Sequence, residues 1–399
     1  MHRQSLRPAP ARPVGRASPP QPPRLGVVDF NPIPYHTPLY RQLAARGTVE
    51  LSVLYLTDGG LRPVLVPEFG VPVSWDIDLL SGYRHQFLPG PGPGRRRWRH
   101  LARWIRSNDV VVIHGHSDPG MLTAVALCRA LGVPYLLRGD SGPDGRSGGW
   151  RGAVRWGVAR TVVSGSAGGL STGELNRQFY QRYQAPRITF APYSVDNARF
   201  AQPPATGRAE LLARWGLDPA RRLVMFCGKL APVKQPLDLA MAVQRLTEPV
   251  SVLFAGDGPL AGQVKAMLTP GQGVVTGFVN QTELPDYYHA ADILVLPSQL
   301  ERWGLVVNEA MAAGVLPVVS DLVGCGPDLV EGLGEIYPSG DAEALATALT
   351  RALHRCGDPH LADQLRRRVA DYGIAATAAG FEHATLDAAR AARRRNRPR

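Results

Sequence analysis

Short apolar runs rich in branched residues alternate with helix-patterned segments along almost all of this 399-residue chain. Such runs are typical of strands buried on both faces, and repeated strand–helix units imply parallel sheets covered by helices. The runs form two series. They read LGVVDF (25–30), VELSVLYL (49–56), DVVVIHGH (109–116), PYLLRGD (134–140), TVVSGS (161–166) and RITFAPY (187–193), then RLVMFCG, VSVLFAG, GVVTGFV, DILVLP, LPVVSD and GEIYPS. The chain is therefore predicted to be an α/β protein with two parallel-sheet domains.

Composition places the domain boundaries. A polar, proline-containing stretch, AQPPATGRAE (201–210), separates the two series, so the boundary is expected near residue 200. The first residues combine arginine with frequent proline and lack the apolar core of a signal peptide. The predicted organisation is a disordered arm (1–23), a first domain (24–200), a second domain (201–373), a closing helix (374–388) and a basic tail (389–399).

Charge and cysteine spacing narrow the choice of partners. The net charge of +12 comes without a recognisable nucleic-acid module, so no nucleic-acid partner is expected. No apolar run reaches the roughly 18 residues of a membrane-spanning helix. Cys128, Cys227, Cys325 and Cys356 are widely spaced, which favours reduced thiols in the cytoplasm.

The segment 94–108 has two interpretations. Trp98, Leu101 and Ile105 follow helical spacing, and arginines occupy the other faces. Such a helix can lie on an anionic membrane surface, which would make the protein peripheral on the inner face of the membrane. It can equally pack its apolar stripe on the sheet and leave the arginines in water. The sequence leaves both open.

Two carboxylates stand eight residues apart around a glycine, where the apolar run DILVLP gives way to a helix. They are Glu301 and Glu309, and the glycine is Gly304. Ligands of parallel sheets bind at the carboxyl ends of strands, and a helix N-terminus there attracts anions. A helical spacing of eight residues spans about 12 Å, more than the roughly 5 to 9.5 Å of a glycosidase pair. The spacing suits the two ends of one extended ligand, although a surface position for either glutamate is the plain alternative.

Lysine usage marks a second segment. The chain contains only three lysines, Lys229, Lys234 and Lys265, and two of them follow the run RLVMFCG. The other cationic side chains of the protein are arginines, whereas this loop contains two lysines. Two compact ammonium groups in one loop favour contact with a diphosphate. A solvated turn is the alternative.

These motifs resemble those of the retaining nucleotide-sugar glycosyltransferases of the GT-B fold, family 4. Glu301 to Glu309 resembles the E-x7-E motif of that family, and FCGKLAPVK (226–234) resembles its glycine, basic residue, leucine and lysine signature. Three further blocks continue the similarity in order: LFAGDGPL (253–260), GFVNQTELPDYYHAADILVLPS (277–298) and AAGVLPVVSDLVGCGPDLV (312–330). The resemblance covers roughly residues 24–388. It implies two Rossmann-like domains facing a central cleft, with the donor on the second domain and the acceptor on the first.

The resemblance also suggests a role for individual residues. It implies catalytic roles for Lys234, Lys229 and Glu301, and donor binding by Glu309, Gly304, Leu305, Gly228, Phe278 and Val279. The residues themselves add Asp140, a carboxylate at a strand end, as a catalytic candidate, and His116, His36 and Tyr35 as candidates for the acceptor side. Tyr35 and His36 could also face the donor sugar, and the alternative for their segment is a turn packed by prolines with an exposed histidine. The resemblance implies no metal ion and no cofactor besides the nucleoside diphosphate sugar.

Three positions depart from the family pattern. Lys229 stands where arginine is usual, Asp140 stands where many members have a histidine, and residues 31–38 replace a glycine-rich loop. Asp140 has the alternatives of a helix cap or a partner for Arg138.

Two histidines provide a weak metal signal. His114 and His116 alternate along a predicted strand, so both side chains are expected on one face, with Asp118 nearby. No further ligand cluster accompanies them, and a metal site is not expected. His116 is predicted to face the cleft, and His114 is predicted to lie in the core or behind the site.

The expected activity is transfer of a hexosyl unit from a nucleoside diphosphate sugar to a glycan or lipid-linked acceptor, in cell-surface polysaccharide or glycoconjugate synthesis. Two alternatives share the architecture. A nucleotide-sugar epimerase would convert a donor without an acceptor, and a catalytically silent subunit would bind the donor without turnover.

Overall fold

The computed structural model describes residues 21–62, 64–66, 71–90, 94–143 and 149–395. Most of the predicted arm and the last four residues of the predicted tail lie outside these ranges. Nearly every predicted strand is present, within a few residues of its expected bounds.

The first domain contains a sheet of seven described strands, all parallel, in the order β5-β2-β1-β6-β7-β8-β9. A small antiparallel pair, β3 and β4, stands apart from it. The strands are β1 (Arg24–Asp29), β2 (Glu50–Tyr55), β3 (Val64–Val66), β4 (Val71–Val73), β5 (His85–Phe87), β6 (Val110–His114), β7 (Tyr135–Arg138), β8 (Gly168–Ser171) and β9 (Ile188–Phe190).

The second domain contains a parallel sheet of six strands in the order β12-β11-β10-β13-β14-β15 among the residues described. Its strands are β10 (Arg222–Cys227), β11 (Val250–Ala255), β12 (Gly273–Gly277), β13 (Ile293–Leu296), β14 (Leu316–Ser320) and β15 (Glu335–Tyr337). The central strands are completely buried, as their apolar sequences require.

Helices connect the strands and cover both sheets. In the first domain they are α1 (Thr37–Arg46), α2 (Arg95–Arg106), α3 (Pro119–Leu131), α4 (Trp150–Ser164) and α5 (Glu174–Arg182). The remaining helices are α6 (Asn197–Ala201), α7 (Arg208–Arg214), α8 (Pro236–Val243), α9 (Ala261–Met267), α10 (Leu284–Ala290), α11 (Leu305–Ala313), α12 (Ala342–Leu353), α13 (Pro359–Ala370) and α14 (Ile374–Arg395). Helices α2 to α5 contribute to the core on one face of the first sheet, and α1 with α14 contributes to the core on the other.

One predicted strand is a helix end. The segment TVVSGS (161–166) belongs to the end of α4 and the turn after it, and the strand is Gly168–Ser171. Val162 and Val163 are buried from the helix. The strand carries glycine because a Cβ on Gly169 would stand 2.6 Å from the ring of Tyr180. The prediction of a strand at 161–166 was wrong because branched residues also pack from a helix. The actual strand was not predicted because close packing requires glycine in it.

The chain crosses between the domains at two adjacent segments. After β9, helix α6 already packs on α11 of the second domain, and a bridge joins Val195 to Gly373 where the chain returns. The side chain of Asn197 donates to the carbonyl of Val369 across this crossing. Helix α14 then packs on the first domain and continues beyond residue 388 to Arg395, so it includes part of the predicted tail.

Helix α2 packs its apolar stripe on the sheet. Leu101, Trp104 and Ile105 are buried and Trp98 is partly buried against the same core, whereas most of the arginines of α2 are exposed. Packing on the sheet, one of the two interpretations, therefore accounts for the apolar residues of α2. Contact between its exposed arginines and an anionic membrane surface stays a prediction. Among the helices described, none is both long and apolar enough to cross a membrane.

All four cysteines are buried, and none of them forms a disulfide. Burial raises the pKa of the Cys128 thiol to about 12 and that of Cys356 to about 11. These thiols therefore behave as small apolar side chains in the core.

A close approach of two backbones shapes the loop after β10. A Cβ on Gly256 would stand 1.8 Å from the carbonyl oxygen of Gly228, and the amide of Gly228 donates to Ala255. We expect Gly256→Ala to lower the free energy of unfolding by about 3 kcal/mol, because the two loops must separate. Chemical denaturation measures this change.

Gly262 provides the matched control. Nothing lies within 4 Å of its added Cβ, and it belongs to α9. Gly262→Ala is expected to raise stability by up to about 1 kcal/mol through helix propensity. Equal effects of the two substitutions would contradict the close approach.

Candidate active site

A cavity of about 610 Å³ lies between the domains, at the carboxyl ends of both sheets. The first domain contributes the loop after β1, the segment after β7 and Tyr193. The second contributes the loop after β10 and the segment from Glu301 to Val306. Nine of the predicted site residues line it: Tyr35, His36, Asp140, Gly228, Lys229, Lys234, Glu301, Gly304 and Leu305.

The N-terminus of α11 opens into this cavity. Gly304 precedes the helix with a φ of 98°, which glycine adopts without strain, and no side chain caps the helix. A Cβ on Gly304 would also stand 3.0 Å from Leu296. Gly304, Leu305 and Val306 all line the cavity. The first backbone N–H groups of a helix and its dipole favour a bound anion at such a position.

Two lysines approach the same space. Lys234 ends a short 3-10 turn, Pro232–Lys234, and its ammonium group donates to the carboxylate of Glu301. Both side chains are largely shielded from solvent, at 22% and 18% exposure. Lys229 lines the cavity as well. The arrangement therefore places positive charge beside the open helix end, and one carboxylate holds part of that charge in position.

Glu309 lies beneath the cavity rather than in its wall. Its exposure is 0%, the hydroxyl of Tyr288 donates to Oε2 at 2.6 Å, and Oε1 has no hydrogen-bond partner among the described residues. Burial raises the pKa of Glu309 to about 7, although the hydrogen bond from Tyr288, the charge of Arg199 and the nearby hydroxyl of Tyr35 oppose the rise. The second glutamate of the motif is thus a buried carboxylate with unused hydrogen-bonding capacity.

Tyr35 approaches the second domain, not only the acceptor side that the sequence analysis expected. It packs against the core of the second domain, and burial followed by the charge of Glu309 raises the pKa of its hydroxyl well above the ordinary value. The loop from Asn31 places it there, because the amides of His36 and Thr37 turn back to the carbonyl of Ile33. Tyr35 therefore lies next to the predicted donor residue Glu309.

Phe278 and Val279 do not line the cavity. The ring of Phe278 lies 6.2 Å from that of Trp75, and Val279 packs on the core of the second domain. Beside them, the side chain of Asn280 donates to the carbonyl of Ser74 at 2.8 Å. This loop therefore connects the two domains at the edge of the cleft, because it meets residues 74–76 of the first domain.

Asp29 is a site residue that the sequence analysis missed. It ends β1, is buried, and accepts hydrogen bonds from the amide of Phe30, the hydroxyl of Tyr40 and Nδ1 of His36, the last at 2.7 Å. Burial alone would raise the pKa of Asp29, but the neighbouring His36 and His114 hold it below the usual range. An ionised carboxylate can only accept, so Nδ1 of His36 carries a proton and donates a hydrogen bond to Asp29. A carboxylate at a strand's carboxyl end was the available signal.

Asp29, His36 and His114 are the described residues that are grouped closely enough to hold a metal ion, with ligand atoms within 4.8 Å of one another. The carboxylate already accepts three hydrogen bonds, and burial lowers the pKa of His114 to about 3. Hydrogen bonds hold the grouping together, because the hydroxyl of Tyr40 donates to Asp29 and lies 3.3 Å from Nε2 of His114. Its effect is to orient the ring of His36, which lines the cavity.

Asp140 lines the cavity with an exposed side chain, and among the residues described it neither caps a helix nor pairs with Arg138. The N-cap of α4 is Gly149. Arg138 is buried and instead donates to the carbonyls of Ala191 and Pro192 at 2.5 and 2.9 Å. Arg138 is a second residue that the sequence analysis did not assign to the site, and it brings a buried positive charge to the cavity wall.

His116 lies in a different cavity from His36. Strand β6 ends at His114, and Gly115 has a φ of 83°, so the strand alternation that was expected to align the two histidines stops there. The ring of His116 lies 5.4 Å from that of Phe179, at the outer side of the first domain. The expectation that both side chains share one face was wrong for this reason.

Two parallel-sheet domains that face a cleft are the GT-B fold, and solved structures confirm this fold. A glycosyltransferase of Rickettsia africae ESF-5 aligns with a TM-score of 0.70 over 92% of this chain and 98% of its own, at 12% identity. Anabaena HepE, solved in complex with UDP, aligns with a TM-score of 0.69 over 90% and 98%, at 13% identity.

Sequence comparison identifies the family. The family model of glycosyl transferases group 1 matches residues 207–374. A protein named as a teichuronic acid biosynthesis glycosyltransferase, TuaC of Bacillus subtilis (strain 168), is 32% identical over 324 residues, which is 77% of this chain and 78% of the relative. The chain belongs to the group 1 glycosyltransferases.

Removal of the Lys234 ammonium group tests its contribution to turnover. We expect Lys234→Ala to lower turnover of a nucleotide sugar by about 100-fold or more, because one electrostatic donor contributes roughly 3 to 4 kcal/mol to such a step. Initial rates at saturating donor measure the loss. Lys265→Ala, on the exposed side of α9, is the control for lysine removal and should keep its rate. Equal rates for the wild type and Lys234→Ala would remove Lys234 from the mechanism.

Glu309 makes stability depend on pH. Because its pKa in the folded protein is about 7 and the ordinary value is 4.5, the native state holds the proton more tightly than the unfolded state. Its contribution to stability is therefore fully present below pH 4.5 and is lost as the pH rises through 7. Glu309→Gln removes this titration, so the stability of the variant relative to wild type should rise between pH 5 and pH 8 by about 3 kcal/mol.

Urea denaturation at a series of pH values measures that difference. Glu343→Gln, on the exposed first turn of α12, is the control for loss of a carboxylate that stays in water. A constant difference between Glu309→Gln and wild type across the range would show that Glu309 does not titrate there.

Proposed function

We propose that this group 1 glycosyltransferase transfers a hexosyl unit from a nucleoside diphosphate sugar to a hydroxyl of a glycan or lipid-linked acceptor, with retention at the anomeric carbon and without a divalent ion at the diphosphate. The observation that carries the proposal is the convergence of Lys229, Lys234 and the uncapped N-terminus of α11 on one cavity. The corresponding pathway is synthesis of a cell-surface polysaccharide or glycoconjugate.

The diphosphate is assigned to the end of α11. The amides of Leu305 and Val306 face the cavity at a helix end without a side-chain cap, and Gly304 leaves room for close approach. Two ammonium groups add fixed positive charge from the neighbouring strand end. Donors held in place before the reaction stabilise the charge that develops on the leaving group, which is the role of a metal ion in other transferases.

The transferred sugar is assigned to the space between Glu301 and the first domain. Glu301 is held by Lys234 and offers its remaining acceptor capacity to sugar hydroxyls. Asp140 and His36 face the same space from the opposite wall. The hydrogen bond from Nδ1 to Asp29 fixes the ring of His36, and its other ring nitrogen can hydrogen-bond a hydroxyl of the sugar or the acceptor.

The ribose is assigned to Glu309. Oε1 of this buried carboxylate lacks a partner among the described residues, and a ribose hydroxyl would provide one. Tyr35 packs beside Glu309, so its side chain has to move for the ribose to arrive. A donor hydroxyl that satisfies a buried carboxylate contributes about 1 to 3 kcal/mol.

The reaction needs no covalent enzyme intermediate. The acceptor oxygen bonds to the anomeric carbon on the face from which the diphosphate leaves, the bond from that carbon to the phosphate oxygen breaks, and the acceptor proton passes to the leaving diphosphate. Lys229, Lys234 and the amides of α11 hold the departing charge. The cleft between the domains limits the access of water to the activated sugar.

The relatives support two parts of the proposal. Anabaena HepE was solved with UDP and with UDP-glucose, which supports a nucleoside diphosphate sugar as the donor here. The name of the Bacillus relative supports a polysaccharide product.

The exposed arginines of α2 support a cytoplasmic protein that lies at an anionic membrane surface, since cationic side chains attract anionic lipids.

A panel of nucleotide sugars, incubated with and without glycan and lipid-linked acceptors, tests this function. We expect conversion that requires an acceptor, a product with the anomeric configuration of the donor by NMR, and the same rate after treatment with EDTA. Conversion of a donor without acceptor would identify an epimerase. Donor binding without any turnover would identify a silent subunit, and an inverted product would overturn retention.

A further inference from the structure

Helix α4 is apolar on two opposite faces. Ala159 and Val163 are buried in the core of the first domain. On the opposite side Trp150, Val154 and Val158 are 73%, 56% and 42% exposed, and their spacing of four residues places them in one stripe. A surface helix normally carries polar residues on its outer face. An exposed stripe of this size therefore indicates a binding surface.

A concave site lies beside the stripe. Its volume is about 740 Å³, and Val154 and Val158 belong to its wall, so the stripe and the cavity are continuous. Arg155, Arg182 and Arg302 line it from three different segments of the chain. None of the described residues that line it is acidic. The cavity therefore combines three arginine side chains with an apolar wall, which fits an anion attached to an apolar chain.

The second cavity adjoins the candidate active site. The cavity between the domains is called the inner cavity, and the one beside the stripe of α4 is called the outer cavity. Arg302 lines both, and Ser141, which follows Asp140, lines the outer cavity. A ligand held in the outer cavity therefore extends towards the cleft on the first-domain side. That side is where the proposed function places the acceptor.

We propose that the outer cavity and the stripe of α4 bind the acceptor as an anionic amphiphile, a lipid that carries a phosphate group, with the phosphate at the three arginines and the apolar chain along Trp150, Val154 and Val158. This proposal rests on the proposed function, because it names the class of acceptor for that reaction.

Two other occupants fit the surface less well. A flat anionic bilayer would cover the stripe, but it would not fill the concave cavity that the three arginines line. A second copy of the chain would bring another net charge of +12 against a lining that has no acidic residue among those described. A single phosphorylated amphiphile satisfies both the charge and the apolar stripe.

Binding of dodecyl phosphate below its micelle concentration, measured by calorimetry with the full chain, tests the proposal. Dodecyl maltoside has the apolar chain without the phosphate, and inorganic phosphate has no apolar chain. We expect each to bind at least about tenfold more weakly than dodecyl phosphate. Arg155→Gln should weaken dodecyl phosphate about tenfold through loss of a charged hydrogen bond. Val154→Ser should weaken it several-fold through lost apolar contact.

Arg103→Gln, on the exposed side of α2 and outside the cavity lining, is the matched control and should keep the wild-type affinity. Arg155 and Val154 are exposed, so both variants should keep the wild-type melting temperature. UDP binding is measured in parallel, and we expect no change in it, because neither residue lines the inner cavity.

The outcomes separate the occupants. Absence of dodecyl phosphate binding, or binding that neither variant alters, would overturn the proposal. Binding to phosphatidylglycerol vesicles that depends on Val154 but not on Arg155 would assign the stripe to a bilayer and overturn it as well, as would dimerisation that Val154→Ser abolishes. Dodecyl phosphate binding without any sugar transfer would instead sink the proposed function and leave an amphiphile site.

Discussion

The ion pair between Lys234 and Glu301 holds the candidate site together. Lys234 follows β10 and Glu301 follows β13, and these strands are neighbours in the second sheet, so the pair joins two loops at one sheet edge. The same loops carry Lys229 and the glycine that opens α11 to the cavity. With Glu301 partly neutralised by Lys234, the remaining field at the helix end is positive. Anion binding at this edge depends on that balance.

The cavity is complete only with both domains. Arg138, Asp140 and His36 form the wall opposite the lysines, and the crossing at Val195 and Gly373 fixes how the domains meet. Because the two passages of the chain are adjacent, a small rotation about them changes the width of the cleft. Residues 74–76 and Tyr35 of the first domain contact the second domain, and these contacts keep the cleft narrow.

Most of the fold followed from the sequence, and the exceptions have local causes. Apolar runs predicted the second sheet because its strands are buried on both faces. The pattern failed at residues 161–166, where branched residues pack from a helix, and at β8, where glycine is required by the ring of Tyr180. The motif predicted that Glu301 and Lys234 belong to one site. It could not distinguish the partly exposed Glu301 from the fully buried Glu309, because burial depends on Tyr288 and Tyr35, which are distant in sequence.

The sequence by itself determined most strands and helices and the loops that carry the lysines and the paired glutamates, because these depend on local periodicity. The class of enzyme followed from the resemblance of its motifs to a known family. Only the tertiary structure decided that Asp29 orients His36, that His116 leaves the cleft for a second cavity, and that Arg302 lies between the two cavities. These relations join segments far apart in the chain. They arise from how helices and sheets pack, which no local pattern records.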